Sequence, residues 1–146
     1  MHQWLRYSSD SLQRFHGTTL LEELEVDNWD QVDQHERFAV LSHGTQDDPI
    51  YCYFNQAALA TFQWPESEIY AIPSRYSAPD GEHRQVRQAQ VADSVVEDFK
   101  VLPEVVRQRK DGTTFTISNI YLWNVYDEDN QRVGQTALYD RNNISY

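Results

Sequence analysis

The apolar residues of this chain change their spacing several times, and each change marks an element. After Asp10 or Ser11, either of which suits a helix cap, Leu12, Phe15, Leu20, Leu21 and Leu24 follow at partly helical intervals. Gly17-Thr18-Thr19 interrupts them, so the spacing predicts helical pieces over residues 2–15 and 18–24, then an acidic link. Phe38 to Leu41 is a short apolar run entered from the charged His35-Glu36-Arg37, as for a strand covered on both faces. Gly44 to Pro49 is turn chemistry, and Ile50 to Phe54, β-branched and aromatic, predicts a second strand paired with the first. Asn55 suits a helix cap, with good helix formers behind it and Ala58, Leu59 and Phe62 on one face. Pro65 ends that helix and opens a short turn of another, with Glu66 and Glu68 near its positive end.

Pro79-Asp80-Gly81 predicts a further turn, and Glu82 to Val95 a polar helix with a narrow apolar stripe. Phe99 to Arg109 is strand-like, and Pro103 within it marks an edge or a bulge. Asp111-Gly112 is a hairpin signal; Thr113 to Tyr126 is the longest strand, and Val133 to Tyr139 the last. The order is two strands, short helices, then three strands: an α+β domain over residues 38–146 with one five-stranded antiparallel sheet, its short helices on one face. Residues 1–37 form an amino-terminal helical extension. By strict alternation Phe115, Ile117, Tyr121, Trp123 and Val125 share one face of the long strand, and Ile120 and Leu122 fall on the other. Two large aliphatics do not suit a solvated back face, so residues 1–24 or a second subunit are expected to cover it.

Composition narrows the function without naming it. The formal charge of −11 and pI near 4.7 oppose binding to a polyanion, and Arg107-Gln108-Arg109-Lys110 is too short a basic cluster to reverse this. Direct nucleic-acid binding is therefore not expected. No apolar run approaches the ~20 residues that span a membrane, and Met1 to Asp10 lacks the pattern of a secretory signal. A single cysteine, Cys52, excludes an internal disulfide and a multi-cysteine zinc site, and a reducing cytoplasm is the expected location.

Candidate chemistry is sparse. Ser42 and His43, with Asp47 and Asp48 nearby, supply the residue types of a hydrolytic triad, but adjacent strand residues point to opposite faces. They read as a strand end and turn, and no metal-ligand spacing stands out, so no catalytic and no metal-binding residue is assigned. Ser74 and Arg75 can donate hydrogen bonds at a pocket edge, the plainer alternative being that Arg75 pairs with one of the chain's 23 acids. Tyr53, Trp123 and Gln135 suit either an aromatic pocket with one orienting amide or a plain core. The candidate ligand-binding set is thus Tyr53, Ser74, Arg75, Trp123 and Gln135.

The segments FNQAALATFQWPESEI and RQRKDGTTFTISNIYLWNVYDEDNQRVGQTALYD resemble the strand-to-helix and hairpin signatures of PAS domains, in the expected order. LSHGTQDDPIYCYFNQAAL, IPSRYSA and LWNVYDEDNQRVGQTA more specifically resemble the MEKHLA domain family, a PAS-like group, in its small stand-alone bacterial type. The resemblance implies a PAS-like fold and a non-enzymatic sensory or interaction role. A small-molecule ligand in a pocket between sheet and helices is expected, with a homodimer as the signalling unit and the cofactor unknown. The alternatives are a small enzyme using the same pocket and a ligand-free interaction domain. Flavin photosensors of this fold carry their cysteine in an Asn-Cys-Arg-Phe motif after the helices, whereas Cys52 lies in the second strand. Haem-binding members place a histidine on the long helix, where His83 is the only candidate.

Overall fold

The computed structural model describes residues 2–78 and 97–146. The turn expected at Pro79-Asp80-Gly81, the helix expected from Glu82 to Val95, and His83 within it lie outside the described residues.

Three helices precede the sheet: α1 (His2–His16), α2 (Leu20–Leu24) and α3 (Trp29–Asp33). The turn at Gly17 separates the first two, and Thr19 starts α2 with a reciprocal cap: its hydroxyl accepts from the Glu22 N–H, and the Glu22 carboxylate accepts from the Thr19 N–H. α3 corrects the expectation of a bare acidic link. Asn28 caps it by accepting from the Gln31 N–H at 2.9 Å, while the Gln31 side chain reaches back to the Asp27 N–H at 2.7 Å.

The sheet contains β1 (Phe38–His43), β2 (Tyr51–Phe54), β3 (Phe99–Gln108), β4 (Thr114–Tyr126) and β5 (Arg132–Asp140) in the spatial order β2-β1-β5-β4-β3, all antiparallel. A two-residue β6 (Ile144–Ser145) pairs with the first half of β4. Between β2 and β3 come α4 (Gln56–Phe62), α5 (Glu66–Ile69) and a 3₁₀ turn (Ser74–Ser77). The β3–β4 hairpin turns where Gly112 takes φ of +88°, with the Thr113 N–H bonded to the Asp111 carboxylate.

Asn55 joins these parts. It is fully buried, and its side-chain oxygen accepts from the N–H groups of Val40 and Ala58 while its amide donates to the carbonyls of Val32 and Phe38. One side chain therefore fixes the start of α4, β1 and the end of α3.

Both faces of the sheet are covered. One carries Leu41, Leu102, Ile117, Ile120, Leu122 and Tyr139 under α4. The other carries Val40, Tyr53, Trp123, Val125 and Leu138 under Leu5, Leu12, Leu20, Leu24 and Val32 of the amino-terminal helices. The extension thus covers the sheet within the same chain, but the strict alternation expected for β4 fails. Asn119 adopts φ of +57° opposite Pro103 and resets the phase, so Phe115 and Ile117 share a face with Ile120 and Leu122. The partner strand resets in step, because Leu102 and Val105, three residues apart, also share that face.

α1 is held through its serines. Ser8 presents its carbonyl to Trp123 Nε1 at 2.9 Å and its hydroxyl to Thr136 Oγ1 at 2.9 Å. Ser9 accepts from the Leu20 N–H and Ser11 from the Tyr126 N–H.

Candidate functional site

On the α4 face, the sheet and the helices leave a cavity with about 60 Å³ open to water centres. Its floor is Leu41 on β1, Ile117, Ile120 and Leu122 on β4, and Gln135, Ala137 and Tyr139 on β5. Phe62 of α4, Tyr51 of β2, and Leu102, Val105 and Arg107 of β3 form the walls. Phe62 meets Phe54 and Phe115 edge-on at 5.4 and 5.2 Å between ring centres, a packing that sets the roof.

Most polar groups near the cavity have defined partners. The Tyr51 hydroxyl lies 2.8 Å from Ser77 Oγ, and Ser77 already gives its proton to the Ser74 carbonyl, so Tyr51 donates. Gln135 is fully buried and donates to Asn124 Oδ1 at 3.0 Å, as Arg132 Nε also does. Asn124 in turn donates to Asp98, which also accepts from the Tyr126 hydroxyl at 2.7 Å. Among the described residues the buried Tyr139 hydroxyl has only Thr61, in loose geometry, as a hydrogen-bonding neighbour, and burial raises its pKa above the ordinary tyrosine value.

Gln135 is the one residue of the expected ligand set that lines the cavity. Tyr53 and Trp123 stand on the opposite face, Tyr53 donating to Asp33 at 2.8 Å and Trp123 fully buried under α1. A bulge separates Tyr51 from Tyr53, which regular alternation would place on one face. Phe54 and Tyr53 pair with Leu41 and Ser42, but Tyr51 pairs with His43, which leaves Cys52 as the extra residue. Tyr51 consequently turns into the cavity and Tyr53 away from it. Ser74 lies buried in the 3₁₀ turn behind Ser77. Arg75 forms a half-exposed pair with Asp48, its Nε 3.0 and 3.1 Å from the two oxygens, and stacks on the Tyr76 ring. The lining residues outside the expected set include Tyr51 and Tyr139; Tyr53 was named for its residue type, and the bulge that turns Tyr51 inward has no local signature.

The triad types do not converge. Ser42 points to the α1 side, 2.8 Å from Thr136 Oγ1, while His43 lines the cavity with Nδ1 at 3.0 Å from the Gly44 carbonyl. Among the described residues no three His, Cys, Asp or Glu side chains gather as a metal site. No described helix is long and apolar enough to cross a membrane. Cys52 lies on the outer side of the β2 bulge, and burial of its thiol raises its pKa to about 11.

The model of the MEKHLA domain matches residues 2–144. The chain belongs to the MEKHLA domain family. That match takes in α1 to α3 together with the sheet, so the family's unit includes the extension that covers the back of the sheet in this member. Solved structures of similar fold are PAS and LOV domains. A PAS domain of a protein from Colwellia psychrerythraea is 16% identical, with a TM-score of 0.58 over 71% of this chain and 84% of that one. A variant of the fungal photoreceptor Vivid is 16% identical, with a TM-score of 0.55 over 69% and 79%. A LOV protein of Rhodobacter sphaeroides is 12% identical, with a TM-score of 0.60 over 75% and 62%. At these identities the likeness shows the fold, which is PAS-like. No curated protein matches the chain significantly.

Proposed function

We propose that this MEKHLA protein is a sensory module that binds a small ligand between sheet and helices and passes the change to α1. The observation that carries this reading is the division of labour along β4 and β5. Leu122, Gln135 and Ala137 line the cavity, while their chain neighbours Trp123, Thr136 and Leu138 hold α1 and its companions. A ligand that favours one strand arrangement over another biases the docking of α1, which is the requirement for a population shift. Vivid, among the solved structures of similar fold, is a photoreceptor, which supports a sensory role without supplying its signal.

The reading includes a homodimer as the signalling unit in the cytoplasm, with α1 to α3 or the free edge of β3 as the contact; Val101 is 45% exposed on that edge. It favours a binding module over an enzyme because Ser42 and His43 diverge.

The test is native mass spectrometry of the purified protein, followed by hydrogen exchange with and without the ligand found. Slower exchange in β4 and β5 together with altered exchange in α1 is expected. A bound ligand that leaves α1 exchange unchanged refutes the signalling step. Sedimentation at micromolar concentration checks the dimer.

A further inference from the structure

We propose that the cavity binds a small neutral carbonyl compound, whose oxygen accepts a hydrogen bond from the Tyr139 hydroxyl. This rests on the reading of the cavity as the ligand site and adds the ligand's class and its anchor. Tyr139 lines the cavity from β5 and is 2% exposed. Among the described residues its hydroxyl has no hydrogen-bond partner in good geometry. Thr61, the neighbour in loose geometry, gives its own proton to the Ala57 carbonyl at 2.8 Å, so towards Tyr139 it can only accept. The Tyr139 proton therefore lacks a well-placed acceptor among the described residues. Nearly every buried hydroxyl in a folded protein has a partner, and a ligand in the cavity can supply this one. Burial raises the pKa of the phenol and so keeps it in the neutral form that donates.

Size and walls set the rest. The cavity measures about 60 Å³, about two waters' share of liquid and well below the ~150 Å³ of a cavity that holds benzene. It is not sealed from solvent, and a hydroxyl in its wall suits a wet site. A ligand that displaces water there must replace the bond to that hydroxyl in kind. A compact molecule of about three or four heavy atoms matches the space. Leu41, Leu102, Ile117, Ile120 and Leu122 make the lining mainly apolar, so the remaining atoms of the ligand are apolar too. A carbonyl is an acceptor only and brings no proton for this wall to strand. A carboxylate would leave its water shell for hydrocarbon. The charged side chain of the described lining, Arg107, already gives its guanidinium to the Val106 carbonyl at 2.8 Å.

Chemical-shift titration of the full chain with acetone, isobutene, acetate and toluene tests this. Acetone is expected to move the Tyr139 ring signals and to saturate at ~1–100 mM, the range open to four heavy atoms. Acetate is expected to bind about tenfold more weakly or worse, and toluene, too large, to leave the cavity residues unmoved. Tyr139→Phe removes the donor and keeps the ring. It is expected to weaken acetone about fivefold, the worth of one neutral hydrogen bond. Isobutene, of the same shape without the oxygen, is expected to keep its affinity within about twofold. Equal losses for acetone and isobutene, or no loss for acetone, overturn the inference. Should that variant fail to fold, the wild type decides, because acetone binding that leaves the Tyr139 ring signals in place also overturns it. Acetate or toluene binding more tightly than acetone overturns it as well and leaves the sensory reading standing. No shift with any probe overturns the inference, and if native mass spectrometry also finds no ligand, the sensory reading falls with it.

Discussion

Asn55→Ala should be among the most damaging single substitutions in this protein. The side chain satisfies two N–H groups and contacts two carbonyls, at 2.9 to 3.1 Å, with no solvent exposure. The Val32 carbonyl keeps other donors, from His35 and Gln34, so its loss is light. The Val40 and Ala58 N–H groups are stranded in the interior, at ~1–3 kcal/mol each. The expected destabilisation is therefore about 3 kcal/mol or more, against a total of roughly 5–15 for a domain. With a urea slope near 1.5 kcal/mol/M the unfolding midpoint falls by about 2 M. Tryptophan fluorescence provides the readout, since Trp29 and Trp123 lie on the amino-terminal side of the sheet. Asn55→Asp sharpens the test. It keeps both acceptor bonds but sets a carboxylate against the Val32 and Phe38 carbonyls, which raises the folded pKa of the introduced carboxyl above its unfolded value of about 3.9. A raised folded pKa favours folding below the unfolded pKa and loses that contribution as pH rises through the folded one. The deficit of Asn55→Asp relative to wild type must then grow between acid and neutral pH. A midpoint shift in Asn55→Ala below about 0.5 M, or a pH-independent deficit in Asn55→Asp, refutes the assignment of Asn55 as the joint between α3, β1 and α4.

Gly134→Ala should destabilise by about 1–3 kcal/mol through overpacking, because a Cβ there meets the His43 carbonyl oxygen and lies 2.8 Å from the Trp4 ring; urea unfolding measures it, and an unchanged midpoint contradicts the close approach. Cys52 should react with iodoacetamide at pH 8 on the order of tenfold more slowly than an unfolded-state thiol: partial burial raises its pKa to about 11, and the loss of thiolate outweighs the greater nucleophilicity of a more basic one. The residue is open to solvent on its outer side, so a slow reaction isolates the thiol's pKa from simple access, and a normal rate refutes it. Asp140 accepts from both Nε and Nη2 of Arg37, which holds its carboxyl below the ordinary aspartate value. Its contribution is present above the unfolded pKa and is lost as pH falls through the lowered folded one. Asp140→Asn should accordingly flatten the acid limb of the stability profile, and an unaltered limb assigns that loss to other groups.

The element order was legible because caps and turns are local chemistry: Asn55, Pro65 and Asp111-Gly112 act through their own neighbours in the chain. α3 left a legible mark too, since Asn28 followed by Gln31 has the spacing of a capping pair, but the acidic residues around it masked the signal. The candidate site was less legible. Period-2 reasoning assumes an unbroken pleat, and this sheet breaks it at Cys52 and at the Pro103–Asn119 pair. The first break turns Tyr51 into the cavity while Tyr53, paired with Ser42, faces away; the second moves Phe115 and Ile117 beside Ile120 and Leu122. Pro103 did flag an irregularity, but nothing in the residue types around Cys52 distinguishes a bulged strand from a regular one. Trp123 illustrates a different limit: its size and indole N–H suit a pocket, and they suit equally the buried α1 contact that it makes with Ser8.

The two loaded faces also limit how far a ligand can act. Shifting a two-state equilibrium from 1:99 to 99:1 takes ~5.5 kcal/mol of differential affinity. A small ligand of, for example, about seven heavy atoms has a ceiling near 10 kcal/mol in total, and at ordinary efficiencies of about 0.3 kcal/mol per atom it supplies about 2. Only the part that differs between the two arrangements counts. α1, meanwhile, is held by buried Leu5 and Leu12 as well as by its serines, and each buried leucine contributes ~1.5–3 kcal/mol. Wholesale release of α1 by a single small ligand is therefore out of reach. A shift in its opening equilibrium of about tenfold, worth ~1.4 kcal/mol, is attainable, and the polar contacts of Ser8 and Ser11 are its natural target because each is worth only ~0.5–1.5 kcal/mol net. Saturating ligand should thus change amide exchange in α1 by about a factor of ten. Complete loss of protection there would mean that something larger than the cavity's occupant drives the change.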